Sequence, residues 1–98
     1  MNKPCCYVDD SSSTLMLEGD FTLATMSQGL SQINALIQNE VPKHIDLSRL
    51  NLCDSSTVAL VMDLRRRGVL HVLHAPLAFA AIVRACQLDA LFPDLAQN

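Results

Sequence analysis

Tryptophan is absent, and only one tyrosine and three phenylalanines occur, so any core must be aliphatic. Charge is also scarce, at 17% of residues against 50% hydrophobic. That balance supports a packed core and excludes a disordered chain. The formal net charge of -3 gives no basic surface for nucleic acid or an anionic membrane. The one basic run, Arg65-Arg66-Arg67, reads as a solvated helix end. Long apolar runs are missing too: Ala75 to Val83 contains a proline and falls well short of the roughly 20 residues needed to span a bilayer. The opening "MNKPCCYVDD" has no apolar leader region or small-residue cleavage site. The expectation is a cytoplasmic chain without membrane insertion.

The cysteines Cys5, Cys6, Cys53 and Cys86 show no C-x-x-C spacing and read as buried small hydrophobes. Cys5 and Cys6, being adjacent, point to opposite faces of a strand. His71 and His74 sit three apart in a β-rich segment and would not converge on one metal. No phosphate-binding G-x-x-x-x-G-K-[ST] loop and no G-x-S-x-G elbow occurs, and nothing in the sequence places a histidine beside a serine nucleophile. No catalysis, metal or cofactor is expected.

The 98 residues make one domain. Strands are expected at roughly 4 to 9 and 14 to 18, joined by a turn through Asp9, Asp10 and Ser11-Ser12-Ser13. Gly19-Asp20 breaks the second strand. From Phe21 to Asn39, Leu23, Met26, Leu30, Ile33 and Ile37 recur at steps of three and four, which predicts an amphipathic helix. Thr22 or Asp20 can cap it. Gly29 in its middle is costly, so something should pack closely there.

"KHIDLSRLNLCD" predicts a central strand with Ile45 and Leu47 on one face and Asp46 and Ser48 on the other. A helix follows from about Ser56 to Arg67, ended by Gly68. "VLHVLH" is β-rich, and Pro76 suits the start of a last helix carrying Phe79, Ile82, Val83 and Cys86. A short apolar piece, "LDALF", closes the chain. The order β-β-α-β-α-β-α predicts an α/β sandwich with a mixed sheet of about four strands covered by helices.

Between the third strand and the second helix stands "LCDSSTVALVM". Asp54 or Ser55 as a helix cap explains part of its composition. One cap needs one residue, however, and the four consecutive side chains from Asp54 to Thr57 all carry oxygen. The helix that follows has almost no polar face, with Asp63 its only charge before the arginines. If Val58, Val61 and Met62 cover the sheet, then Ala59, Leu60 and Leu64 are left outside, a surface for a partner. An uncovered stripe of this kind also suits self-association of the isolated chain.

"LEGDFTLAT", "HIDLSRLNLCDSSTVALVMDLRRRG" and "PLAFAAIVRACQLDALF", in this order, resemble a STAS domain, the fold shared by anti-sigma-factor antagonists. Within it the chain is most similar to the cytoplasmic STAS subunit of Mla-type phospholipid ABC transporters, through "FTLAT" and "IDLS". The likeness covers about residues 5 to 93. It implies a non-catalytic accessory subunit that binds and stabilises the ATPase and so supports outer-membrane lipid asymmetry. The ATPase in turn holds the subunit to the permease at the inner membrane. By the same resemblance Asp54, Ser55, Ser56, Thr57, Ala59, Leu60 and Asp63 form the partner-binding face. In the antagonists the residue matching Ser55 is phosphorylated by the partner kinase, so a switch at Ser55 is the alternative reading. Thr57 stands where both groups usually carry glycine. A branched side chain there would hinder close backbone approach, which weighs against the switch more than against static docking. A small-molecule sensor or enzyme is a third class, resting on the fold's versatility and the four thiols alone.

Overall fold

The computed structural model describes residues 2–69 and 71–97. Two strands open the chain, β1 (Cys5–Asp9) and β2 (Thr14–Phe21). They pair antiparallel across a tight turn, in which Asp9 Oδ1 accepts from the Ser11 amide (3.1 Å) and hydroxyl (2.7 Å). A 3-10 turn (Leu23–Thr25) leads into α1 (Met26–Ile37). Then come β3 (His44–Cys53), α2 (Ser55–Arg66), β4 (His71–Leu73) and α3 (Leu77–Ala85). Two short 3-10 turns, Asp89–Leu91 and Pro93–Gln97, finish the chain. The sheet order is β1-β2-β3-β4, with β2, β3 and β4 mutually parallel. This is the expected mixed four-stranded α/β arrangement. Leu70, which the expected last strand included, lies outside the described residues.

Period-two alternation puts Leu15, Leu17, Ile45, Leu47 and Val72 into the core, where they meet Ile33, Ile37, Val58, Val61, Leu64, Phe79 and Val83 from the helices. Leu91 and Phe92 end the chain's apolar tail: Phe92 is buried, edge-on to Phe79 with ring centroids 5.8 Å apart, while Leu91 is exposed. The Arg65 guanidinium lies 5.1 Å from the centre of the Phe92 ring. Asp94 takes the Val72 amide at 2.8 Å and so ties this tail to β4.

Several expectations are corrected. Gly19-Asp20 does not break β2, which runs on to Phe21 through register shifts against β3. Gly19 absorbs the distortion at φ 82°, and a side chain there would run into the Lys3 carbonyl. Asp20 is no cap: it is buried and accepts from the Asn2 amide (3.2 Å) and the Asn51 side chain (2.8 Å). The helix consequently begins at Met26, and Thr22 caps the preceding 3-10 turn. Pro76 takes the N-cap position of α3, one residue before the helix.

The cysteines are not buried as expected. Cys5 and Cys86 are exposed, and Cys6 and Cys53 half-buried, because β1 lies at the sheet edge and α3 has ended before Cys86. His74 is not in β4 but in the turn after it, at φ 55°, and His71 stacks on His44 with ring centroids 5.1 Å apart. Among the described residues no group of three or more His, Cys, Asp or Glu could hold a metal ion.

The expected faces of α2 also differ. Leu60 and Leu64 are buried along with Val58 and Val61, while Met62 is half-buried and Ala59 alone stays exposed. The helix lies beside α3 on one flank and the Leu23–Thr25 turn on the other, so three of its sides need apolar residues.

Candidate functional site

β3 ends at Cys53, and extended backbone at Asp54 (φ -145°) turns the chain into α2. The first turn of any helix leaves amides without intrahelical partners. Here Asp54 supplies the cap: its Oδ1 accepts the Ser56 amide (2.9 Å) and the Ser56 hydroxyl (2.6 Å). Thr57 completes a capping box by accepting the Asp54 amide at 2.9 Å. The cap reaches beyond its own helix. Asp54 Oδ2 accepts the Leu23 amide at 3.0 Å, and the Thr57 hydroxyl donates to the carbonyl of Phe21. Two loops, after β2 and after β3, are thereby joined.

Burial raises the affinity of the Asp54 carboxyl for a proton, but the hydrogen bonds from the Ser56 hydroxyl and from the Leu23, Ser56 and Thr57 amides outweigh it. The group is held below the usual carboxylate range. Burial, and then the neighbouring Asp54 charge, push the Cys53 thiol up. Burial, and then Cys5, push the Cys6 thiol up to about 11. Neither thiol is an activated nucleophile.

Of the seven residues expected at the site, four come together. Ser56, Ala59, Leu60 and Asp63 line a groove of about 260 Å³ between α2 and α1. Leu60 is only 4% exposed and forms its floor rather than an outward knob. Asp63 stands at the far end, paired with Arg66 (3.4 Å) and Arg67 (3.6 Å). Ser55, the first residue of α2, is exposed at the near end, and the capping bonds pass it by. Asp54 and Thr57 serve from beneath as the clamp.

Thr57 is fully buried, with its side chain turned inward to Phe21 and Asp54. It therefore raises no steric obstacle at the surface, and the objection that a branched residue there sets against a phosphate switch does not hold. Met26 and Leu30 of α1 form the groove's other wall, although they share the helical spacing of the buried Ile33 and Ile37. Leu23, on the same spacing, is 77% exposed. No sequence signal separates these three from Ile33 and Ile37.

An exposed hydroxyl at a helix start beside an apolar groove can offer a partner one polar contact and an apolar seat. The antiparallel hairpin leading into parallel strands that alternate with helices makes this a STAS-like module. The family described as "Mlab, STAS domain" matches residues 8–94, and the chain belongs to that family. A comparison with curated proteins found no match. STAS domains are in general accessory or regulatory modules rather than enzymes. Among the described residues no helix is long and apolar enough to cross a membrane.

Proposed function

We propose that this chain is a non-catalytic subunit of an Mla-type phospholipid ABC transporter. It docks on the ATPase at the cytoplasmic side of the inner membrane and through it on the permease, supporting outer-membrane lipid asymmetry. The observation that carries this reading is the exposed Ser55 set beside the groove of Met26, Leu30, Ala59 and Leu60. A hydroxyl can satisfy a polar group of the ATPase while the groove buries an apolar side chain, the usual division between rim and core of an interface. Co-expression with the cognate ATPase and permease tests it. The three should co-purify, and Ala59→Arg, which fills the groove with a charge, should abolish this. Ser55→Glu should weaken the complex strongly and Ser55→Ala only slightly. Failure of the unaltered chain to co-purify would sink the reading.

One observation keeps a second reading in view. Ser55 is exposed at the first position of α2, where a kinase can reach it and the helix dipole favours added negative charge. On that reading the chain antagonises an anti-sigma factor until Ser55 is phosphorylated. Incubation with the cognate kinase and ATP should add one phosphate by intact mass, and Ser55→Ala should prevent it. An unchanged mass in the unaltered chain removes this reading.

A further inference from the structure

Leu23 presents an unusual combination. Its side chain is 77% exposed, yet its backbone is tied by hydrogen bonds on both sides. The Leu23 amide donates to Asp54 Oδ2 at 3.0 Å. Just before it, the Phe21 carbonyl accepts from the buried Thr57 hydroxyl. Just after it, Thr25 closes its own box, accepting the Thr22 amide (3.1 Å) and donating to the Asp20 carbonyl (2.7 Å). An exposed leucine on a free loop costs ordering entropy when it binds, whereas one on a fixed turn has met that cost during folding. Leu23 also opens the 3-10 turn that runs directly into α1, whose Met26 and Leu30 form the groove wall.

We infer that Leu23 is the apolar anchor of the partner contact, and that Thr57 is the positioning residue that holds it there. The inference rests on the ATPase-docking reading above: the occupant is the ATPase surface that covers the groove, which would meet Leu23 with an apolar pocket. Thr57 acts through two bonds. Its hydroxyl fixes Phe21 on one side, and on the other it fixes the Asp54 backbone whose carboxylate holds Leu23. A glycine at position 57 could make neither bond, so this chain presents a stiffer turn than a glycine-bearing relative would.

Two measurements test this, one on the complex and one on the isolated chain. Binding to the purified ATPase by interferometry should weaken about tenfold or more for Leu23→Glu, with the unfolding midpoint unchanged because the side chain is exposed. In the isolated chain, Thr57→Val removes the hydroxyl but keeps the branched shape. It should speed amide exchange at Leu23 and Asp54 while core amides such as Leu47 keep their protection. Thr57→Ser should restore slow exchange, which a purely space-filling role would not predict. If Thr57→Val does not fold, Asp54→Ala, lacking the acceptor for Leu23, should open the Leu23 amide in the same way.

Unaltered binding of Leu23→Glu overturns the anchor; if Ala59→Arg still blocks binding, the docking reading survives that loss. Unaltered binding of both variants means that the chain docks through another face, and failure of the unaltered chain to bind the ATPase means that docking itself is wrong. Unchanged exchange at Leu23 in the folded Thr57 or Asp54 variant overturns the positioning role.

Discussion

Helices α1 and α2 have the same length, twelve residues, and lie side by side, yet they differ in how much of themselves they bury. In α2, Thr57, Val58, Leu60, Val61 and Leu64 are buried. In α1, only Gly29, Ile33 and Ile37 are, with Met26 and Leu30 half-covered and Leu36 exposed. The difference lies in their neighbours. The second helix has the sheet beneath it and packed elements on both flanks, whereas the first lies towards the β1 side of the sheet, where it packs on β1. A helix between two others needs a wide apolar surface, and a helix on the outside needs a narrow one. Apolar residues on the outer helix beyond that need are left open to a partner. The apolar wall of the candidate groove formed by Met26 and Leu30 therefore belongs to α1, and α2 contributes the polar rim and the floor.

The largest test of this contrast is a pair of truncations. Leu64→Ala in α2 should cost about 2 to 5 kcal/mol, a large share of the roughly 5 to 15 kcal/mol available to such a domain. Leu36→Ala in α1, at a side chain 41% exposed, should stay within about 0.5 kcal/mol. Urea unfolding of both variants measures the difference; equal losses would mean that the outer helix is packed as deeply as the inner one. An intermediate effect is expected where α1 does touch the core. An added Cβ at Gly29 would lie 2.7 Å from the fully buried Phe21 ring. Gly29→Ala gains about 1 kcal/mol of helix propensity but meets an overpacking cost of about 1 to 3 kcal/mol. Lower stability in urea is the expected net result, and a stabilised variant would show that the ring can give way.

Local patterns were legible in the sequence, and flanks were not. The alternation of Ile45 and Leu47 against Asp46 and Ser48 named the inner face of β3 correctly, and the oxygen-rich "DSST" located the start of α2 to within a residue, leaving open between Asp54 and Ser55 the cap that Asp54 supplies. Gly29 announced a close approach, although not that Phe21 would make it. What failed had to do with neighbours. The outward assignment of Leu60 and Leu64 assumed a helix resting on a sheet alone, whereas α2 is enclosed on two further sides. Leu23 shares the spacing of the core residues Ile33 and Ile37, and only the 3-10 turn that precedes α1 rotates it outward. Gly19 read as a strand breaker because its pairing with β3, where a bulge makes room for it, involves residues about thirty positions away. For the same reason the clamp between Thr57 and Phe21 could not be seen, since it spans two loops far apart in sequence.

The smallest effect separates the starts of the two helices by pH. The turn before α1 is held by a neutral hydroxyl, that of Thr25, which accepts the Thr22 amide, with no acidic residue in its first turn. The start of α2 depends on the Asp54 carboxylate, and capping contributes about 1 kcal/mol. Because the folded-state pKa of Asp54 is lowered, the unfolded chain binds its proton more readily. The carboxylate's contribution is then complete above the ordinary unfolded value of about 3.9 and is lost as pH falls through the lower folded value. Amide exchange, corrected for its intrinsic pH dependence, should show Leu23 and Ser56 losing protection across that acid range while Thr22 and Thr25 keep theirs. In Asp54→Asn an amide NH2 that cannot accept replaces Oδ2. The Leu23 loss should then already be present at neutral pH and no longer vary with acid, while the remaining oxygen keeps Ser56 capped. If Thr22 and Leu23 lose protection together in the unaltered chain, the clamp is not the element that titrates, and the two helix starts are not held by different chemistry.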